Sequence, residues 1–348
     1  ARPRLARGMA ASNRKVDLVL VRGEGQYLSN VPANVNLAVL NKRRVSDAIA
    51  ALASHIRATR PDAVLSALTH MNIAAIMAAR VSGAAPRIVV SERNQISEKS
   101  RGTMNWRQRT TYGAVRWLYP AADAVVAVSR GVARDLETFG KLSAAKLHVI
   151  HNPVFDSEID ALAKEEPAHP WLRDRYPPVV LAVGRLHRQK GFDVLLRAFA
   201  LARAQVNCRL VIAGEGAERE KLFALARELG VADNFSLPGF CANPFALMAR
   251  ASVFVLSSRW EGFPNALVEA MACGARVVAT DCPSGPREIL DGGRYGRLVP
   301  VDDAQGLAAA LIEGLAARRG TAVARAHAQG FSVDAATARY LDVLEARP

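Results

Sequence analysis

The 348-residue sequence contains no apolar run that approaches the roughly 20 residues of a membrane-spanning helix. Its beginning lacks the apolar core of a secretory signal peptide. It has few cysteines, and their spacing matches no paired metal-binding pattern. We therefore expect a cytoplasmic protein with reduced thiols at Cys208, Cys241, Cys273 and Cys282. Half of the residues are apolar, and this length can form two domains with separate cores.

Acidic residues are scarce in the first half of the chain. Residues 1–150 contain 23 basic and 9 acidic residues, whereas residues 151–348 contain 23 of each. The whole net charge of +14 therefore lies in the first half. A basic surface attracts nucleic acids, anionic membranes or anionic substrates, although a solvated face without any partner has the same composition.

One stretch of the first half combines basic and aromatic residues, and no acidic residue stands between Glu98 and Asp123. Residues 104–119 within it are predicted to be helical. Cations interleaved with aromatic side chains suit an anionic membrane surface or a lipid-linked acceptor. A helix that turns its aromatic side to the core and its basic side to solvent is the alternative. The residues concerned are Lys99, Arg101, Trp106, Arg107, Arg109, Tyr112, Arg116 and Trp117.

Strands alternate with helices along the chain, and the alternation restarts after an acidic, proline-containing stretch that follows His151-Asn152-Pro153. This pattern predicts an α/β fold with parallel sheets covered by helices on both faces. The predicted strands of the first half are residues 16–21, 63–66, 87–91, 124–128 and 147–150, and its helices include 43–60 and 71–82. Those of the second half are residues 179–183, 209–213, 234–237, 253–256 and 276–279.

The stretch from Ser258 to Gly274 is the most informative part of the sequence. It follows the apolar run at 253–256, turns at Gly262 and Pro264, and continues as a helix that Gly274 ends. Glu261 then lies in a loop and Glu269 on the helix. Backbone amides at a helix start bind anions such as phosphate, and carboxylates accept hydrogen bonds from hydroxyls. This combination suits a nucleotide sugar, although two solvated glutamates would give the same spacing.

Three further loops follow predicted strands of the second half. Gly184-Arg185-Leu186 precedes Lys190-Gly191, and two cations near a helix start suit a diphosphate. The spacing does not fit a P-loop, and an ordinary basic loop is the alternative. Gly214 and Gly239 stand after the next two strands, where nucleotides bind in such sheets. Phe240 follows Gly239, and for this aromatic a place in the core is the alternative.

Polar residues also follow strands of the first half, and three of them are candidates for an acceptor site: His70, Arg93 and Asn94. A lone histidine is more often structural than functional. Arg93 does not act as a base at neutral pH but can hold a phosphate. No Asp-x-Asp pair follows a strand, so we expect no obligatory metal and no cofactor.

Taken together, the Glu261–Glu269 stretch and the Gly184–Gly191 segment resemble the signatures of glycosyltransferase family 4. That resemblance implies the GT-B fold, two Rossmann-like doubly wound domains facing a cleft, and transfer with retention. It implies an acceptor-binding domain at 1–153, a nucleotide-sugar-binding domain at 154–330, and a helix at 331–348 that often crosses back to the first domain. The segment Ser284-Gly285-Pro286-Arg287-Glu288 is similar to a subgroup that builds lipopolysaccharide and other surface glycans.

The resemblance also implies roles for single residues. Arg185 and Lys190 hold the donor diphosphate, Glu261 contacts the donor sugar, and Glu269 binds the ribose. Glu261, Arg185 and Lys190 are the catalytic candidates. The other donor-side positions are Gly184, Gly214, Gly239, Phe240, Gly262, Phe263, Pro264, Asn265, Ala266 and Leu267.

From these patterns we expect a retaining, metal-independent hexosyltransferase, peripheral on the inner face of the plasma membrane. We expect a nucleotide donor of the UDP-sugar type and a glycan or lipid-linked glycan acceptor, but no nucleic acid. A nucleotide-sugar 2-epimerase of the same fold and a non-catalytic nucleic-acid binder are the alternatives. The usual first strand and glycine-rich loop of the family are not evident before residue 16, so we also expect slow turnover.

Overall fold

The computed structural model describes residues 2–23, 31–101, 106–174, 177–317 and 322–346. It divides into two structural units, one formed by residues 1–153 and 333–348 and the other by residues 154–332. The first unit contains α1 (Arg2–Ala11), β1 (Asp17–Leu20), β2 (Asn36–Val39), α2 (Val45–Thr59), β3 (Ala63–Ala67), α3 (Thr69–Ser82), β4 (Arg87–Glu92), α4 (Ile96–Arg101), α5 (Trp106–Gly113), α6 (Val115–Leu118), β5 (Ala124–Ala127), α7 (Arg130–Thr138) and β6 (Leu147–Val149).

The second unit begins with α8 (Glu158–Leu162) and α9 (Pro170–Asp174) and then alternates strands with helices. These elements are β7 (Val179–Val183), α10 (Phe192–Arg203), β8 (Arg209–Ala213), α11 (Arg219–Glu228), β9 (Phe235–Gly239), α12 (Pro244–Arg250), β10 (Val253–Leu256), α13 (Asn265–Ala272), β11 (Val277–Thr280), α14 (Pro286–Ile289), β12 (Arg297–Val299), α15 (Ala304–Ala316) and α16 (Ala322–Gln329). The last helix, α17 (Val333–Glu345), belongs to the first unit.

All described strand pairs are parallel. The second unit has one six-stranded sheet in the order β12-β11-β10-β7-β8-β9. The first unit has a four-stranded sheet, β3-β4-β5-β6, and a separate two-stranded sheet, β1-β2. Because helices cover both faces of a parallel sheet, its inner strands are apolar throughout, as the fully buried β5 and β10 show.

The core of the second unit lies between this sheet and α10, α11 and α15. Phe199, Leu195 and Ile212 are fully buried in it. The first unit packs Leu5 of α1 and Tyr340 of α17 against Val89 and Val126 on one face of its four-stranded sheet. The backbone carbonyl of Val343 accepts a 2.8 Å hydrogen bond from Arg87 Nε, which ties α17 to β4.

The structure confirms the predicted α/β alternation and corrects it in three places. The helix predicted at 104–119 is interrupted between α5 and α6, after Gly113. β2 and β12 have no counterpart among the predicted strands. Both are short edge strands with exposed residues, so they lack the apolar run that marks a buried strand. Ser129 caps α7 as predicted, because its side chain accepts a hydrogen bond from Val132 N.

Candidate functional site

The loops that follow β7, β8 and β9 are joined by their backbones. Gly184 N donates to Ala213 O at 3.0 Å, and Gly214 N donates to Gly239 O at 2.8 Å. A Cβ on Gly214 would overlap the carbonyl oxygen of Gly184, so only glycine permits this approach. The three predicted donor-site glycines therefore lie together at the carboxyl ends of neighbouring strands, where ligands bind in open α/β sheets.

A buried ion pair connects the loop after β7 with the loop after β10. Lys190 Nζ lies 2.5 Å from Glu261 Oε1, and their side chains are 19% and 8% exposed. Ser258 Oγ donates to the same carboxylate oxygen at 2.7 Å. Lys190 thus offsets the cost of burying the Glu261 carboxylate, and the ammonium has further donors for an anion. The structure brings these two catalytic candidates into contact.

The backbone around Lys190 and Glu261 is held by polar side chains that the sequence analysis did not single out. Ser257 Oγ donates to Lys190 O at 2.8 Å, and Thr280 Oγ1 donates to Ser258 O at 2.5 Å. Gly191 has a φ of +61°, and a Cβ there would overlap the carbonyl oxygen of Ser257. The β7 and β10 loops are therefore packed backbone to backbone. Ser257 and Ser258 directly follow the buried strand β10, and this position is the sequence feature that could have indicated their supporting role.

Arg259 forms a second link between the same two loops. Its guanidinium donates to both carboxylate oxygens of Asp193, at 3.0 and 2.7 Å, and to Arg188 O at 2.9 Å. Its Nε also donates to Asp302 at 2.7 Å. Burial alone would raise the pKa of Asp193, but hydrogen bonding to Arg259 and its positive charge outweigh burial and lower that pKa. The guanidinium of Arg259 therefore has a structural role, because its donors bond to Asp193, Asp302 and the backbone of Arg188.

The segment from Gly262 to Glu269 presents only part of its length to solvent. Gly262, Phe263, Pro264 and Leu267 are buried, whereas Asn265, Ala266 and Glu269 are partly exposed. Phe263 packs edge-on against Phe331, with ring centroids 5.4 Å apart. Ser284 Oγ donates to Gly262 O at 3.0 Å and fixes the turn before α13. The polar side chains of this segment that reach solvent are therefore those of Asn265 and Glu269.

Two donor-side candidates are exposed. Arg185 stands directly after Gly184 with an exposed side chain, so its guanidinium is accessible to an anion at this edge. Phe240 is 51% exposed, which makes the core alternative for this aromatic wrong. Gly239 before it has a φ of +90°, a conformation that favours glycine.

The acceptor candidates of the first unit follow β3 and β4, two neighbouring strands. His70 is exposed in the first turn of α3, and Arg93 and Asn94 are partly buried after β4. The guanidinium of Arg93 donates to the side-chain oxygen of Asn152. Because β3 and β4 pair in parallel, these three residues follow the carboxyl ends of neighbouring strands in the four-stranded sheet.

A buried carboxylate that the sequence analysis gave no role lies beneath them. Glu92 is fully buried and accepts hydrogen bonds from Thr69 Oγ1 at 3.0 Å and from Tyr119 OH at 2.8 Å. Burial and, secondarily, the charge of Glu92 raise the pKa of Tyr119 well above its ordinary value. Asn72 Nδ2 donates to the same phenol oxygen at 2.9 Å. This network anchors the start of α3 to the end of β4.

The basic and aromatic stretch of the first unit has an outward-facing end. Trp117 is 76% exposed, and the guanidinium of Arg116 lies 5.6 Å from its ring centroid. Arg109 is also exposed, whereas Val115 is fully buried. The side chains of Lys99, Arg101, Trp106 and Arg107 lie outside the described part of the structure. In the described part of the stretch, the basic side chains of Arg109 and Arg116 and the ring of Trp117 are therefore exposed to solvent.

Two parallel α/β units, with polar loops gathered at strand ends, define a protein of two Rossmann-like domains. Residues 4–158 match the family model described as Glycosyltransferase Family 4, and residues 177–317 match the one described as Glycosyl transferases group 1. The chain belongs to glycosyltransferase family 4 and has the GT-B fold. The resemblance inferred from the Glu261 and Lys190 segments is therefore confirmed.

Curated relatives and solved structures give more detail. The chain is 35% identical, over 68% of its length and 62% of the relative, to the N-acetylgalactosamine-N,N'-diacetylbacillosaminyl-diphospho-undecaprenol 4-alpha-N-acetylgalactosaminyltransferase of Campylobacter jejuni. It is 33% identical, over 51% of its length and 48% of the relative, to the lipopolysaccharide 1,6-galactosyltransferase of Salmonella typhimurium. These matches span only about half to three fifths of each relative. Anabaena Alr3699/HepE, solved with UDP and glucose, is 20% identical with a TM-score of 0.78, covering 100% of this chain and 96% of that one, and shows the fold alone.

Two properties of the described residues bear on the remaining predictions. Among those residues, no helix combines the length and the apolar character needed to cross a membrane. Within the same part of the chain, no three His, Cys, Asp or Glu side chains cluster as metal ligands would. The prediction of metal independence stays a prediction.

Proposed function

We propose that this chain transfers a hexosyl group, with retention, from a nucleotide sugar to a hydroxyl of a lipopolysaccharide, exopolysaccharide or lipid-linked glycan. The observation that carries the proposal is the Lys190–Glu261 pair, which sets a cation and a carboxylate side by side at the strand ends of the second unit. A cation recognises phosphate and a carboxylate recognises sugar hydroxyls. The names of the relatives given above include such acceptors, and HepE was solved in complex with UDP and glucose.

The roles of the donor-side residues follow from their positions. Arg185, exposed after β7, and Lys190 would hold the diphosphate and stabilise the charge that develops on it as the sugar leaves. Glu261 would accept hydrogen bonds from the transferred sugar while it keeps Lys190 in place. Glu269, partly exposed on α13, would accept hydrogen bonds from the ribose.

Retention follows if the acceptor attacks from the face that the diphosphate leaves. The bond from the anomeric carbon to the phosphate oxygen breaks, and a bond to the acceptor oxygen forms on the same side. The leaving phosphate takes the acceptor proton. In this proposal Arg185 and Lys190 supply the positive charge, so the reaction proceeds without a metal, and Arg93 in the first unit binds an acidic group of the acceptor.

A donor screen on the full chain tests the proposal. UDP, GDP, CMP and their sugars are added, and the thermal midpoint is recorded, because a ligand that binds the native state raises it. We expect a shift with UDP and UDP-sugars. Lys190→Ala should abolish it, whereas Arg197→Ala, which removes an exposed cation from α10, should leave it unchanged. No shift with any nucleotide would refute the proposal.

Product analysis separates transfer from the epimerase alternative. The chain is incubated with the preferred UDP-sugar, with and without a lipid-linked glycan acceptor and in the presence of EDTA. A new glycoside that forms only with acceptor, and whose NMR coupling shows the anomeric configuration of the donor, supports retaining transfer without a metal. A changed sugar configuration at C2 without acceptor would instead establish an epimerase.

A further inference from the structure

The backbone is strained where β3 passes into α3. Leu68 stands between these two elements with φ +83° and ψ +132°. The other non-glycine residues with positive φ in the described part of the chain lie between +42° and +60°, near the left-handed helical range. A leucine at +83° lies outside that range, and such a conformation persists only where the surrounding contacts hold it.

Leu68 also stands at the helix position where a side chain normally caps the first turn. Serine, threonine, aspartate and asparagine are preferred there, because their oxygens accept a hydrogen bond from the helix backbone. Leucine has no such oxygen, so its side chain does not cap α3. The backbone conformation and the capping position therefore both disfavour leucine. Local conflicts of this kind concentrate at functional sites.

The strained residue is held by hydrogen bonds on both of its sides. Its N–H donates to Ser91 O at 3.3 Å, and its carbonyl accepts from Asn72 N at 2.8 Å. The next residue, Thr69, is buried, and its hydroxyl donates to both carboxylate oxygens of Glu92, at 3.1 and 3.0 Å. This side-chain contact fixes the residue that follows Leu68 to the end of β4.

Glu92 connects this turn with the segment after β4. Its fully buried carboxylate also accepts hydrogen bonds from Tyr119 OH at 2.8 Å and from Arg93 N at 3.2 Å. Burying a carboxylate is costly unless hydrogen bonds satisfy it, so these donors hold it in one place. The contacts lie at the acceptor candidates, because His70 follows Thr69 and Arg93 is itself one of them. One buried group therefore fixes the backbone at both positions.

We propose that Glu92 is a positioning residue of the acceptor site, an inference that rests on the function proposed above. Its carboxylate holds the Thr69 hydroxyl and thereby keeps Leu68 in the strained turn. That turn sets the direction in which α3 leaves the sheet, and so the place of His70 in the first turn of the helix. Without the Thr69 bond, Leu68 relaxes to a negative φ and the start of α3 shifts away from the acceptor.

Kinetics of the full chain test the positioning role. Thr69→Val keeps the shape of the side chain but loses the hydroxyl. We expect the KM for a lipid-linked glycan acceptor to rise about tenfold, because displaced contacts lose their orientation, while the KM for the UDP-sugar stays within about twofold. Thr69→Ser keeps the hydroxyl and should retain the wild-type constants. An unchanged acceptor KM in Thr69→Val, or an equal rise in both constants, would overturn the proposal.

A second substitution separates the strained turn from a general loss of structure. Glycine adopts a positive φ without strain, so a chain with Leu68→Gly no longer needs the Thr69 bond to hold the turn. The acceptor KM of Leu68→Gly/Thr69→Val should therefore stay within about threefold of that of Leu68→Gly alone. A rise as large as the one that Thr69→Val causes in the wild-type chain would overturn the proposal, because independent contacts give additive effects.

Thermal denaturation provides a readout that does not need transfer. Leu68→Gly and Leu68→Ala both remove the side chain, but only alanine keeps the Cβ that strains the turn. The glycine variant should therefore unfold at the higher temperature. Equal midpoints would overturn the proposal even if Thr69→Val does not fold. If the wild-type chain transfers no sugar, the proposed function fails and the positioning role with it, whereas transfer that Thr69→Val leaves unchanged refutes the positioning role alone.

Discussion

Lys190 Nζ lies 2.5 Å from Glu261 Oε1, although 71 residues separate the two in the chain. Neither side chain is near the other until β7 and β10 pair side by side in the sheet. The pair therefore depends on the packing of the loop after β7 against the loop after β10, and it also supplies two of the proposed catalytic groups. Its stability and its proposed role in transfer can be tested separately.

The first prediction concerns the stability of this pair. Lys190→Met leaves the buried carboxylate of Glu261 without a cation, so the free energy of unfolding should fall by about 3 kcal/mol. The double variant Lys190→Met/Glu261→Gln removes the charge as well and should recover most of this loss. Urea denaturation followed by circular dichroism measures both. A double variant as unstable as the single one would show that the charge pair is not the cause.

The second prediction divides the roles of the two glutamates, and it rests on the proposed function. Glu269→Ala should raise the KM for the donor about tenfold with little change in kcat, because contacts to the ribose persist through the reaction. Glu261→Ala should lower kcat by about 100-fold, because contacts to the sugar strengthen in the transition state. Steady-state kinetics with a radiolabelled donor measure both constants. The same change in both constants for both variants would contradict this division.

Much of the fold was predictable because the apolar runs are long and are bounded by glycine, proline and polar residues. β7 and β10 match the predicted strands residue for residue. The short strand β2 was not predicted, because half of its residues are exposed and nothing in Asn36–Val39 distinguishes it from a loop. Long apolar strands are visible locally, whereas edge strands depend on their neighbours.

The candidate site was predictable in its residues but not in its contacts. Glu261 and Lys190 stood out because each follows an apolar run within a recognisable segment. The supporting roles of Thr280 and Arg259 could not be inferred, since their partners lie on other elements and come close only through sheet order. An aromatic residue after a strand can lie in the core or on the surface, so the sequence left both places open for Phe240. The structure shows that it is exposed.

The third prediction tests the backbone packing of the site. Gly191 and Gly230 have similar φ values, +61° and +68°, but a Cβ would overlap Ser257 O at Gly191 and meet nothing at Gly230. Gly230→Ala should therefore cost about 1 kcal/mol for its backbone conformation alone, and Gly191→Ala at least about 3 kcal/mol. Thermal denaturation of the two variants provides a matched comparison. Equal losses would mean that the loop after β10 moves aside freely.

The fourth prediction concerns the buried thiols at high pH. Burial raises the pKa of Cys282 and of Cys273 to about 12, and that of Cys208 to about 11. In the unfolded chain these thiols ionise near pH 8.5. Above that pH the unfolded state loses protons that the folded state retains, so stability falls as the pH rises toward 11.

Replacing Cys208 and Cys282 by alanine should flatten this fall, by up to about 1.4 kcal/mol per pH unit for each thiol. Urea denaturation of both proteins at several values between pH 8.5 and 10.5 measures the slopes. At pH 8 a maleimide should modify these thiols only as fast as the chain unfolds. Parallel stability curves for the two proteins would contradict the prediction.

The last prediction places the exposed end of the basic and aromatic stretch on an anionic membrane. Trp117 is 76% exposed beside Arg116, and the whole net charge of the chain lies in its first 150 residues. Cations and an interfacial aromatic bind such surfaces together, and salt screens the electrostatic part. The chain should therefore float with vesicles that contain anionic lipid at low salt, and several-fold less at 0.5 M salt. Trp117→Ala should reduce recovery, whereas Phe139→Ala, which removes another exposed aromatic of the same unit, should not. Equal recovery on neutral vesicles would refute electrostatic docking, because the charge would then contribute nothing.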